Sequence, residues 1–132
     1  MNLTLGLVVV FADNVEELGR FYHEVLGFPI KAQTEDFVEL SAQGGSIAVA
    51  SRATMASVTG LAGYTQVPEG HSMEFAFRLE NNDEVDEAYS HIVAKGGRPI
   101  RAPETMAWGQ RNAFFADPAG NIHELYANPD GN

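Results

Sequence analysis

An internal echo constrains this chain more than any other feature. At a spacing of 67 residues Leu7 falls on Glu74, Asp13 on Glu80, Asn14 on Asn81, Tyr22 on Tyr89 and Val25 on Ile92, through a strand-like run and the helix-like run after it. Farther on the spacing widens to 75, pairing Gly45, Ser46, Ile47, Ala48 and Val49 with Gly120, Asn121, Ile122, His123 and Glu124. A chain of 132 residues is one domain's worth. The echo therefore describes two related modules within a single domain over 1–132, at about 1–52 and 71–128, with a connector at about 53–70.

Each module reads as βαβββ. In the first, Leu3 to Ala12 is a nearly continuous apolar run, as in a strand buried on both faces. Asn14, with Glu17 three residues on, is an N-cap pattern, and Val15, Leu18, Phe21, Tyr22 and Val25 recur at helical spacing until Gly27 stops the helix. Strands follow at 30–34, 37–41 and 46–51, the last two joined across Gly44-Gly45. The second module opens with an alternating run at 73–80 and caps a helix near Asn82-Asp83. That helix carries Val85, Ala88, Tyr89, Ile92 and Val93 on one face and stops at Gly96-Gly97. Its strands are expected at 98–101, 111–116 and 122–128, with Asp117-Pro118-Ala119-Gly120-Asn121 as a tight turn. Asp83, Glu84, Asp86 and Glu87 crowd the helix start, where the dipole favours carboxylates, and read as a solvated stabilising face. The connector, rich in Ala, Ser, Thr and Gly, is long enough to cover a cleft or reach a partner.

Composition narrows the function classes. Eight Lys and Arg against 18 Asp and Glu give a formal charge of -10, which repels phosphate backbones and anionic lipid. Neither nucleic acid nor membrane is expected as a partner. Without Cys there is no disulfide framework, no thiolate nucleophile and no thiolate metal site. The chain does not open on a signal-peptide pattern, and no apolar run approaches a membrane span, so the expected location is cytoplasmic.

Two segments carry a resemblance. Asp13-Asn14-Val15-Glu16-Glu17-Leu18-Gly19-Arg20-Phe21-Tyr22, leading to Val25-Leu26-Gly27-Phe28, is one. The other is Trp108-Gly109-Gln110-Arg111 followed by Phe114 to Leu125. With the repeated βαβββ order they resemble the vicinal oxygen chelate superfamily, which includes glyoxalase I, extradiol dioxygenases, methylmalonyl-CoA epimerase, fosfomycin-modifying enzymes and the metal-free bleomycin resistance proteins. The resemblance implies an α+β fold in which two modules curl a mixed sheet into a cup with helices outside, usually completed in a homodimer, with the ligand inside. It does not choose among those chemistries.

In the metalloenzymes of that superfamily, ligands come from the first and last strands of each module. The resemblance places Leu7, Val49, Glu74 and Glu124 at those positions. Two of the four are hydrocarbon, so no metal is expected; the alternative is one divalent ion on Glu74 and Glu124 with help from His71, which precedes the second module's first strand. Alternation puts His123 on the opposite, helix-packed face, and His23 and His91 on helices. What remains is an apolar wall that includes Leu7, Phe11 and Val49, two carboxylates, Trp108 for stacking, and Tyr64 as a lid contact from the connector. The expected function is non-covalent binding of a small hydrophobic or cationic organic molecule, in the manner of a bleomycin resistance protein. One rival is a metal-dependent lyase, isomerase or dioxygenase of the glyoxalase type, in which Glu124 is catalytic. Another is a non-catalytic interaction subunit with an unused cup.

Overall fold

Asn14 ends the first strand and starts the first helix. Its Oδ1 accepts the Glu17 amide at 3.0 Å, satisfying one of the donors that a helix start leaves unpaired. Strand β1 (Val8–Ala12) precedes it and helix α1 (Val15–Arg20) follows. The helix then widens into a π-helical turn over Phe21–Val25, where the Leu26 amide reaches back to the Phe21 carbonyl at 3.2 Å. Gly27, at φ 79°, ends it where the sequence places the stop. Strands β2 (Ile30–Thr34), β3 (Phe37–Ala42) and β4 (Gly45–Ser51) complete a sheet of order β1-β4-β3-β2, in which β1 runs parallel to β4 and the other pairs are antiparallel.

The computed structural model describes residues 1–130 and divides the chain into two units, Met1–Glu69 and Gly70 onward. In the first unit, register fixes which side chains face α1. Val10, Val49 and Val38 lie side by side across three strands, as do Val8, Ile47 and Leu40. Val38, Leu40, Ile47 and Val49 are buried with Leu18, Phe21 and Tyr22 of the helical segment. Gly19 lets the helix approach, since a Cβ there would sit 3.1 Å from Val38 Cγ2. The opposite face carries Val9, Phe11, Glu39, Ala48 and Ala50. Strand β1 is shorter than the apolar run predicts, because the ladder to β4 begins only at Val8. Leu3 and Leu5, which have no ladder partner, stay exposed.

The connector is partly helical. Ser51 Oγ accepts the Thr54 amide at 3.0 Å and caps α2 (Arg52–Thr59), which Gly60 closes at φ 73°, and a 3-10 turn follows at Ala62–Thr65. No residue of α2 is buried. Its small polar residues gave no apolar stripe from which periodicity could be read.

The second unit repeats the plan with β5 (Ala76–Arg78), α3 (Asn82–Ala94), β6 (Arg98–Thr105), β7 (Arg111–Ala116) and β8 (Ile122–Ala127), in the sheet order β5-β8-β7-β6. The N-cap is Asn81, one residue before the predicted pair. Its Oδ1 accepts the Glu84 amide at 2.9 Å, while Glu84 Oε2 accepts the Glu80 amide at 3.0 Å. Strand β5 is three residues long rather than eight. Just before it, the Phe75 amide bonds not to a backbone carbonyl but to His123 Nδ1 at 3.0 Å. Strand β6 lies at the sheet edge and holds Pro99 and Pro103, with register shifts after Pro99 and Arg101, as strands that lack amide donors do. The acidic start of α3 is not wholly solvated: Asp86 accepts a two-pronged bond from Arg111, at 2.7 and 3.1 Å, which ties α3 to β7.

The two units place their last strands in equivalent positions, but not at the spacing of 75 that similarity suggested. Val9 pairs with Ala48 and its counterpart Ala76 pairs with Glu124, so the counterpart of Glu124 is Ala48, not Val49. The paired residues Ser41 and Ser46 bracket four residues, whereas Ala116 and Ile122 bracket five, 117–121. That extra turn residue moves the numbering by one and so moves Val49 to the other face. Among the described residues no helix is long and apolar enough to cross a membrane.

Candidate functional site

In the second unit the face away from α3 is set by β7 and β8. Glu124 lies opposite Phe114, beside Ala76, and two residues after Ile122. Tyr126, next on the same face, pairs with Asn112. The Asn112 side chain is buried, and its Nδ2 donates to Glu124 Oε2 at 3.3 Å; its Oδ1 has no partner among the described residues. Glu74 comes close enough to be felt electrostatically. Burial first, and the Glu74 carboxylate second, raise the Glu124 carboxyl above its ordinary pKa, while the Asn112 bond pulls it down. Glu74 itself lines a cavity of about 320 Å³ with His71, Met73, Phe114 and Ile122. The arrangement is an apolar wall edged by two neighbouring carboxylates, one of them partly desolvated.

The first unit brings together a different pair of the predicted residues. Phe11, from β1, meets Tyr64, from the 3-10 turn, edge to face at 5.3 Å between ring centroids. Both line a cavity of about 330 Å³ with Arg52, Leu61, Gly63, Gln66 and Pro68. Leu7 precedes β1 and is half-buried.

One expectation needs correction. Val49 is fully buried on the face packed against α1, so it contacts the core and not a ligand. The small side chain of Ala48 holds the position that similarity had given it. Trp108 stands in the β6–β7 turn, 69% exposed. Conversely, His123 faces α3 and is fully buried, as alternation requires. Sequence reasoning missed Asn112 and Phe114, which reach Glu124 only through strand register, and Arg52, which was hidden in a segment read as loop.

The donors at the positions of the resembled metal sites are few. At the positions where the resembled metalloenzymes carry ligands, the first unit offers Leu7 and Ala48, neither with a lone pair. Glu74 and Glu124 remain. Among the described residues no group of three or more His, Asp or Glu gathers so as to hold an ion, so His71 does not complete a set with them. These residues do not fit the metal centre of those enzymes.

Comparison with known proteins agrees with the architecture. A solved glyoxalase/bleomycin resistance protein/dioxygenase family enzyme from Burkholderia phytofirmans PsJN superposes with a TM-score of 0.85 at 21% identity, over 94% of this chain and 98% of that one. A lactoylglutathione lyase from Agrobacterium tumefaciens superposes at 0.70 with 19% identity, over 96% and 94%. At such identities the likeness is one of fold. In sequence, the uncharacterized protein YraH of Bacillus subtilis (strain 168) is 31% identical over 123 residues, 91% of each chain. The family model described as Glyoxalase/Bleomycin resistance protein/Dioxygenase superfamily matches residues 4–125. With its repeated βαβββ units and that match over nearly its whole length, the chain belongs to the glyoxalase/bleomycin resistance protein/dioxygenase superfamily.

Proposed function

We propose that this chain binds a small organic molecule, with an apolar body and a cationic or hydroxylated group, on the open sheet face of its second unit, and that it does so without a metal ion. The observation that carries this reading is the meeting of Glu74 and Glu124 at the edge of a wall made by Met73, Phe114 and Ile122. An apolar floor supplies burial, and the carboxylates select a positive or donating group over a neutral or anionic one. The bleomycin resistance members of the superfamily set the model for such binding.

The raised pKa of Glu124 favours a second reading, in which its carboxyl moves a proton on a bound substrate. A screen of bleomycin and cationic amphiphilic compounds, by thermal shift and then calorimetry, separates the two. Under the binding reading, hits lose about tenfold in affinity in Glu124→Gln and in Glu74→Gln, and weaken as salt rises. Hits indifferent to both substitutions and to salt sink it. Turnover of a hit by the parent chain, abolished in Glu124→Gln, selects the second reading.

A further inference from the structure

We infer that the first unit carries a site for a small organic carboxylate, held by Arg52 in the cavity floored by Phe11 and Tyr64. The chain has eight basic side chains. Arg20, Lys31, Arg101 and Arg111 are in ion pairs with carboxylates. Arg78, Lys95 and Arg98 are exposed, where water solvates them. Arg52 alone is both partly buried and without a carboxylate partner among the described residues. In a protein with 18 acidic residues, a partly buried arginine left without one stands out.

Helix stability does not account for it. Arg52 opens α2, an end where the dipole disfavours a cation. Its hydrogen bonding is also incomplete: Nη1 donates to the Gln66 carbonyl at 3.1 Å, which occupies one of five N–H donors. That bond folds the connector back over the head of the side chain. The remaining donors form the planar fork that matches a carboxylate.

The cavity beside it defines the rest of the ligand. Its volume of about 330 Å³ is at the small end for organic ligands, and Phe11, Leu61, Tyr64 and Pro68 make its walls. An aryl or branched-alkyl group of modest size fits between the Phe11 and Tyr64 rings and the proline, with its carboxylate on Arg52. The overall charge of -10 repels anions in general, so binding here depends on the local cation and the apolar contact together.

The test titrates the full-length, 15N-labelled chain with phenylacetate, 3-phenylpropionate and isovalerate, following the amide signals of Leu61, Gly63, Tyr64 and Gln66. At least one is expected to saturate with a Kd of about 1–10 mM, ordinary for fragments of this size. Phenylacetamide, which lacks the charge, is expected to bind at least about tenfold more weakly, and inorganic phosphate, which lacks the apolar body, likewise. Arg52→Gln should weaken the carboxylate about tenfold while the rest of the spectrum keeps its dispersion, and Arg52→Lys should fall between. The inference is overturned if none of the three acids shifts those signals, if phenylacetamide or phosphate matches the best of them, or if a folded Arg52→Gln variant binds it as the parent does.

Discussion

His123 Nε2 and Asp117 Oδ2 lie 2.8 Å apart, with both side chains wholly shielded from solvent. The Phe75 amide donates to the other ring nitrogen, Nδ1, at 3.0 Å, so the ring carries its proton on Nε2 and gives it to the carboxylate. Asp117 Oδ1 also accepts the amides of Ala119 and Asn121, at 2.9 and 3.0 Å, and the Asn121 side chain donates to both of its oxygens. The turn thus closes around a buried carboxylate, and the imidazole joins that turn to the start of β5.

Asp117→Ala leaves the His123 N–H and two turn amides without their acceptor in a site closed to water. The expected cost is about 3–5 kcal/mol, read from urea unfolding followed by circular dichroism. A loss below about 1 kcal/mol would show that the turn holds without its carboxylate.

Glu124 contributes a penalty, and its sign follows from linkage. Its carboxyl pKa is raised in the folded chain, so the folded state keeps the proton to higher pH than the unfolded state does. Stability then falls as pH rises from the unfolded value through the folded one, and the penalty persists above both. Glu124→Gln keeps an oxygen that can accept from Asn112 and removes the charge. The variant is expected to melt above the parent at neutral pH, with the gap closing as pH falls through the carboxylate range. Melting curves that stay equally spaced at every pH would contradict this.

Val49 has no exposed surface and sits between Val10 and Val38 on the helix-packed face. Val49→Ala is expected to cost about 2–3 kcal/mol through lost burial and the cavity left behind. Were the residue on the open face, the same change would cost well under about 1 kcal/mol. Chemical denaturation of the one variant decides between the faces.

Trp108, the only Trp, is 69% exposed in its turn. Its emission is expected at the long wavelength of solvated indole, with acrylamide quenching close to that of a free tryptophan derivative. Ligands that fill the cavity beside Glu74 should leave that quenching unchanged. Protection of Trp108 by such a ligand would place it in the site after all.

Much of this was legible in the sequence wherever a local rule decided the matter. Asn14 and Gly27 bounded the first helical segment by capping chemistry, and alternation from Glu124 put His123 on the far face. The resemblance set Glu74 and Glu124 at the first and last strands of the second module, and the parallel pairing of those strands brings the two carboxylates near each other. Val49 was misplaced because the turns before the two last strands are unequal, the longer one lying at 117–121, and a shift of one residue inverts a strand. Phe114 and Asn112 could not be placed near Glu124 without knowing which residues of β7 and β8 pair. Arg52 heads a stretch whose Ala, Ser and Thr content hides a helix that buries no residue of its own.

The parallel pairing of β1 with β4, and of β5 with β8, has a consequence for the order of events during synthesis. Each unit's first strand finds its ladder partner only in that unit's last strand. The β3–β4 hairpin can close as soon as it emerges, yet β1 must wait with its edge unmatched until residues 45–51 have left the ribosome. The same delay recurs for β5, which waits for residues 122–127 at the far end of the chain. Within each sheet, then, the strand made first is the last to find its neighbour.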